Sequence, residues 1–373
     1  MQITRIDDLH QFDNLKMAWD TVYSADPHAH IFVSWAWLRS FFEVTPYHWF
    51  VLGLRPDNVS LYVAFFPLAI QEHKFIMARV LQMGGAPMAD YTGFVCLPEY
   101  EEQAIATFAD YIQEQLGWDS FHMKDVLDPR LDLFVKSFSQ KEFSVQHVAQ
   151  ISCPYIPLPH SWEQYLQEFL GSRTRRSLRY KTRKMESLNE FHVTHVQLDN
   201  LDSQIETLLV FWQGRWGHNP DSNRVLLRRC FENNCLWLTV LWQATTPIAA
   251  LAAFVDRGKK TFSDYMSGFN DKFAKLSPGR VLLGCSIRYA IENGFQVYDF
   301  LRGDEAYKFS FASIERFNSH ILVRRKTLRS RMANTAVNLA KRLEAGKHSF
   351  SKMLRQYLGK RIDAVKSKRG LQS

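Results

Sequence analysis

The stretch Leu236-Trp237-Leu238-Thr239-Val240-Leu241-Trp242-Gln243-Ala244-Thr245-Thr246-Pro247-Ile248-Ala249-Ala250-Leu251-Ala252-Ala253-Phe254-Val255 belongs to a segment, 233–255, without a single charge. A membrane-spanning helix needs about 20 apolar residues, so the length alone permits one. Thr245-Thr246-Pro247 stands in its middle, where a helix would break and a turn forms readily. Both flanks are rich in strand-favouring residues. The stretch therefore reads as a β-hairpin, with strands at 236–242 and 248–255, and the chain as a sheet protein.

The same order of elements occurs twice around it. In the first half, helical patterns at 9–24 and 34–43 precede strand-like runs at 48–54, 60–71, 79–83 and 93–97. A helix at 99–116, a strand at 120–126, a short helix near 131–139 and a strand at 143–151 follow. In the second half, helices at 161–170, 174–188, 203–216 and 222–232 flank a strand at 192–197. Then come the hairpin, a strand at 261–269, a helix from Ser277 to about Asn293, and strands at 296–300 and 319–325. The two halves share this order more than their residues, a pattern that fits an internal duplication. Pro154-Tyr155-Ile156-Pro157-Leu158-Pro159 is the natural linker. The predicted organisation is 1–153, 154–325 and a tail, 326–373.

The chain has 373 residues, 46% of them hydrophobic and 14% aromatic, enough for two folded cores. Its net charge of +8 is unevenly spread. Residues 324–373 hold 15 Lys and Arg against Glu344 and Asp363, whereas the rest holds 31 against 36 acids. Apolar residues recur in this tail at helical spacings, giving basic amphipathic helices. Such a tail suits an anionic membrane surface, nucleic acid, or the mildly acidic body itself. Five cysteines without a CxxC pair argue against disulfides and a zinc site. The histidines show no HExxH spacing, so no metal is expected, and GxSxG and GxxxxGK[ST] are missing. The start of the chain has no apolar signal core, so a cytoplasmic protein is expected, with the tail reaching the inner face of the membrane.

Three segments could carry chemistry. Ser277-Pro278-Gly279-Arg280 opens a helix: Pro at the first turn forfeits no hydrogen bond, Ser277 can cap, and the helix end favours an anion. It reads either as a phosphate site or as an ordinary helix start. Asp299, Arg302, Asp304, Glu305 and Lys308 follow an apolar strand across a Gly303 turn. A buried carboxylate there could accept a proton and Lys308 could neutralise developing charge, or the group could be ion pairs holding the loop. Arg173–Lys184 contains seven cations and no acid in twelve positions. Arg175, Arg179 and Arg183 would form one helical stripe, with Arg176 beside it, facing either solvent or phosphate.

The path through Pro247-Ile248-Ala249-Ala250, Tyr265-Met266-Ser267-Gly268-Phe269, Ser277-Pro278-Gly279 and Tyr298-Asp299-Phe300-Leu301-Arg302-Gly303-Asp304-Glu305-Ala306-Tyr307-Lys308 resembles the CelD/BcsL-like branch of the GNAT acyltransferases. Phe32-Val33-Ser34-Trp35-Ala36-Trp37 and Asp90-Tyr91 are similar to the first half of longer members. The resemblance implies an α/β (α+β) fold of tandem GNAT-like units, each a mixed, mostly antiparallel sheet flanked by helices, as in Fem-type transferases. It implies transfer of an acyl group, acetyl first of all, from acyl-CoA to an amine or hydroxyl on a saccharide in exopolysaccharide or cellulose-type synthesis. Ser277, Gly279 and Arg280 would hold the pyrophosphate, with Arg176 and Arg179 as outer phosphate contacts. Ser267, Gly268 and Phe269 would hold the thioester, Asp299 or Glu305 would act as base, and Lys308 would steady charge. The usual Gln/Arg-x-x-Gly-x-Gly/Ala loop survives only as Gly279, so the resemblance leaves a second donor, aminoacyl-tRNA as in Fem-type enzymes, and also a non-catalytic adaptor.

Overall fold

The uncharged stretch does fold back on itself. In the computed structural model, which describes residues 1–57, 59–73, 78–187, 190–217, 221–333 and 335, Leu236–Gln243 pairs antiparallel with Thr246–Asp256. No helix among the described residues is long and apolar enough to cross a membrane. Residues 336–373, which hold most of the predicted basic tail, lie outside the described residues.

The first sheet begins with β1 (Gln2–Ile6), β2 (His48–Arg55), β3 (Ala64–His73), β4 (Ala78–Met83), β5 (Val95–Cys96), β6 (Ser120–Val126) and β7 (Phe143–Ser152). The later strands are β8 (Tyr155–Pro157), β9 (Phe191–His195), β10 (Leu236–Gln243), β11 (Thr246–Asp256), β12 (Thr261–Phe269), β13 (Val297–Asp299) and β14 (Phe317–Arg325). Helices α1 (Leu9–Asn14), α2 (Lys16–Ala25), α3 (Trp35–Phe42), α4 (Glu101–Glu114) and α5 (Leu131–Lys136) serve the first half. The second half carries α6 (Trp162–Gln164), α7 (Ser172–Ser187), α8 (Leu201–Trp216), α9 (Asp221–Glu232), α10 (Pro278–Glu292) and α11 (Ala306–Phe309). The sheets run β1-β2-β3-β4-β6-β14-β7, with β5 beside β3, and β8-β13-β12-β11-β10-β9. Both are mostly antiparallel, with one parallel pair each, β4–β6 and β12–β13.

One strand lies where sequence order did not put it. Residues 319–325, expected to close the second sheet, belong to β14, which sits between β6 and β7 of the first. There Ile321 and Val323 enter the same core as Phe121, Met123 and Phe143. In exchange, the proline-rich linker contributes β8, which pairs with β13. The crossing is a two-stranded ribbon: Cys153 N–H donates to the Arg316 carbonyl at 2.8 Å, and Tyr155 N–H to that of Ile314 at 2.9 Å. The second half thus supplies an interior strand of the first sheet, the linker supplies an edge strand of the second, and β1 lies at the far edge of the first.

The halves also share a core. Phe12, Trp19, Phe32 and Trp37, from the stretch between α1 and α3, pack in one cluster with Ile205, Leu208 and Phe254 of the second half. Fully burying each such aromatic contributes about 2–3 kcal/mol before conformational entropy is counted. Tyr23 donates to Asp256 and Arg229 pairs with Glu43 at 2.5 Å, fixing the same interface.

Gly268 sets how closely α8 approaches β12. A Cβ there would lie 2.6 Å from the Phe211 Cβ and 3.0 Å from its backbone carbon. Gly268→Ala is expected to lower stability by about 1–3 kcal/mol, read as an earlier urea midpoint at unchanged slope. An unchanged midpoint would show that the two elements can separate freely.

Candidate active-site groove

The groove arises from a divergence of strands. β12 and β13 pair in parallel over three residues only: Thr261 with Val297, Phe262 with Tyr298 and Ser263 with Asp299. Beyond Asp299 the chain turns away, with Phe300 N–H bonded to the Pro154 carbonyl and Leu301 and Gly303 at φ of +58° and +113°. β12 continues to Phe269 against β11 alone. Its other edge, from Asp264 onward, is left to face a cleft. The β11–β12 register also shifts between Ala252 and Ala253, opposite Met266 and Asp264, so Tyr265 is an extra residue. Such a bulge re-aims side chains.

Two clefts meet along this edge. The larger, about 370 Å³, is lined by Asp90, Trp212, Asp264, Arg302, Glu305 and Lys308 among others. The smaller, about 220 Å³ and more apolar, includes Leu251, Gly268, Phe269, Gly279, Arg280 and Leu283. Asp264, Ser267 and Tyr307 line both.

Asp264 is half-buried, and Tyr298 donates to its Oδ2 at 3.2 Å. Burial pushes its carboxyl up to about 7, with Glu305 and Asp299 adding to the rise and Lys308 and the Tyr298 bond opposing it. A carboxyl poised there is half-ionised at neutral pH, the condition under which a general base is most effective. Sequence reading passed over it. Its one local signal is a carboxylate inside a strand, where Asp is disfavoured.

Lys308 is 3% exposed and fully occupied. Its Nζ donates to the carbonyls of Arg302 at 2.6 Å and Gly303 at 3.3 Å and lies 2.9 Å from Glu305 Oε2. The loop needs glycine at 303, because φ is +113° and a Cβ would come within 2.4 Å of the Glu305 carboxylate. Arg302 bridges the halves, bound to Asp90 at 2.8 Å and Asp125 at 2.7 Å, and His320 Nε2 lies 2.9 Å from Asp125. Burial raises the carboxyl of Asp90, partly offset by Arg302. Asp90 thus brings a carboxylate of the first half into the lining of the larger cleft.

Asp299 occupies a different place from the one its sequence context suggested. It is 2% exposed, lines neither cleft and is ion-paired with Arg316. It also accepts from Tyr91 Oη at 2.9 Å and Leu301 N–H at 2.9 Å. Burial pushes its carboxyl up and the guanidinium pulls it back. Its bonds from Tyr91 and Arg316 tie the end of β13 to the first half and to the crossing ribbon, so it pins the fold where the strands part.

At the far end of the smaller cleft, Ser277 does not cap α10: it takes φ +53°, and its Oγ accepts from Lys181 Nζ at 2.7 Å. Arg280 donates to Ser310 Oγ at 3.2 Å. Burial and the nearby Arg280 lower the pKa of Lys181. Two cations thus converge on the start of a fifteen-residue helix, whose dipole adds to their field. Lys181 lay within the basic run and was not singled out there. Arg179 is not at this site. It pairs with Glu163 in a separate cleft, and Arg176 is exposed on α7. The corresponding helix of the first half, α4, instead begins with Glu101 and Glu102, which would repel a phosphate. Among the described residues, no group of three His, Cys, Asp or Glu could hold a metal ion.

Residues 172–309 match the family model described as acetyltransferase (GNAT) domain. The fold is similar to that of FemX, with a TM-score of 0.63 at 12% identity over 87% of this chain and 97% of that one. It is similar to L-PGS from Bacillus licheniformis, with a TM-score of 0.54 at 11% identity over 89% and 97%. A protein of unknown function from Bacteroides thetaiotaomicron gives 0.53 at 11% identity over 87% and 100%. No curated protein matches the sequence. At these identities the likeness is one of fold, and the acetyltransferase (GNAT) match is confined to residues 172–309.

Proposed function

We propose that the groove transfers an acyl group from an acyl-CoA to an amine or hydroxyl of a saccharide or cell-envelope intermediate, in exopolysaccharide-type synthesis. The observation that carries the reading is the meeting of two unlike clefts at Asp264. One is apolar and ends at a cationic helix start, as a pantetheine arm and pyrophosphate require. The other is polar, has Trp212 on its wall, and is open to an acceptor.

The chain's own groups then divide the work. Asp264 accepts the proton of the attacking amine or hydroxyl as the new bond to the thioester carbonyl carbon forms. Backbone N–H groups on the free edge of β12 face the developing oxyanion. The carbon–sulfur bond breaks with its electron pair on sulfur, and Tyr307, which lines both clefts, returns a proton to it. Glu305 and Lys308 hold each other and shape the field around Asp264. Lys181 and Arg280 bind phosphate and so act on donor affinity.

Release of free thiol from acetyl-CoA, followed with amino sugars and neutral sugars as acceptors, tests this reading. Acceptor-dependent release is expected. Its absence with every acceptor and acyl-CoA tried would contradict the assignment. The Lys181→Ala/Arg280→Ala double variant is expected to raise KM for acyl-CoA at least about tenfold while kcat changes little, the pattern of lost uniform binding.

A further inference from the structure

The basic helix α7 carries more charge than the groove uses. Lys181 faces the start of α10, and Arg175 turns inward to the carbonyls of Leu166 at 3.2 Å and Gln167 at 3.0 Å. Arg173, Arg176, Tyr180 and Arg183 remain exposed, Tyr180 at 64%. Their spacings of three, four and three put them on one face. None of the three arginines has a carboxylate partner among the described residues.

A cleft of about 220 Å³ adjoins this stripe and shares no lining residue with the two clefts of the groove. It opens where α7 and α10 cross. The crossing is close because Gly284 has no side chain: a Cβ there would lie 2.6 Å from Leu178 Cδ1. Leu166, Leu178 and Trp162 supply apolar surface, and Arg179, Arg183 and Arg288 the rim. Arg179 is neutralised by Glu163, and Arg288 by Glu292 at 2.7 Å, so Arg183 is the rim cation left for a ligand. The wall holding Leu166 is a π-helical turn, Tyr165–Phe169, a geometry frequent at functional sites.

We propose that this face docks on an anionic phospholipid surface, with the arginine stripe against lipid phosphates and the cleft taking the apolar part of one lipid. A bare polyanion such as RNA would satisfy the arginines but would leave the apolar cleft without a ligand. An anionic amphiphile satisfies both, and an aromatic ring among cations is typical of helices lying at the lipid interface. The predicted membrane contact of 326–373 is a separate matter, because this surface belongs to the folded second half.

The test uses the full chain, sedimented with vesicles of phosphatidylcholine alone or mixed with phosphatidylglycerol, and titrated with soluble dihexanoyl-phosphatidylglycerol. Binding is expected only where phosphatidylglycerol is present, and should weaken with salt. Each cation near such a surface is worth roughly fivefold in partition, so Arg173→Glu/Arg183→Glu is expected to bind at least about 20-fold more weakly. Thr182→Trp, which fills the cleft without changing charge, should abolish binding of the soluble lipid while glycerol 1-phosphate binds poorly to the parent. The circular dichroism of both variants serves as the folding control. Three results would overturn the proposal: parental vesicle binding by the charge-reversed variant, parental dihexanoyl-lipid binding by Thr182→Trp, or binding of single-stranded RNA without binding of the mixed vesicles.

Discussion

Replacing Asp264 by asparagine is expected to lower kcat/KM by about 10²–10⁴-fold, the usual contribution of a positioned general base. The pH dependence should change with it. With the carboxyl held up to about 7, parental activity rises with pH through that value as the carboxylate forms. The variant should show no such rising limb. Stability separates this loss from misfolding. The folded carboxyl is a weaker acid than the unfolded one, so the fold favours the protonated form. Its stabilising contribution is complete below about pH 4 and is lost as pH rises toward 7. Asp264→Asn keeps the neutral form at every pH, so at pH 8 it should be at least as stable as the parent. Full activity in a folded variant would remove Asp264 from the mechanism.

The second large effect concerns Arg316. Its guanidinium pairs with Asp299 and lies 5.3 Å from the Tyr91 ring and 4.6 Å from that of Tyr155. Arg316→Ala leaves a buried carboxylate without its partner, which costs about 3 kcal/mol. Because the pair joins the crossing ribbon to the end of β13, the loss should appear as a lower urea midpoint and as faster proteolysis near the junction. Asp299→Asn keeps the shape and the bonds from Tyr91 and Leu301 while discarding the charge. It should be milder in stability and should retain turnover. A collapse of kcat in folded Asp299→Asn, with kcat retained in Asp264→Asn, would restore Asp299 as the base.

These two carboxylates show which parts of the site could be read in the sequence. Glu305 and Lys308 are three residues apart at the first turn of α11, just after Gly303, so their proximity is local and visible. The hairpin was legible for the same reason, since Thr245-Thr246-Pro247 breaks any long helix. Asp264 acquires its character from a bulge in β12, the departure of β13 and the distant Lys308, none of which leaves a mark beside it in the chain. Asp299 looked catalytic because its partners, Tyr91 and Arg316, come from the other half and from the crossing ribbon. The exchange of β14 for β8 was hidden because sequential strands usually pair within one sheet. The helix stripe was read as Arg175, Arg179 and Arg183. A π turn and Glu163 draw the first two inward, and the face that remains exposed starts at Arg173.

Calorimetric titration of acetyl-CoA into the full chain tests most directly whether the parted strands form a donor site. Saturable binding of one molecule per chain is predicted, weakened at least about tenfold in Lys181→Ala/Arg280→Ala and unchanged in Asp264→Asn. Absence of heat and of competition by longer acyl-CoAs at millimolar ligand would contradict it.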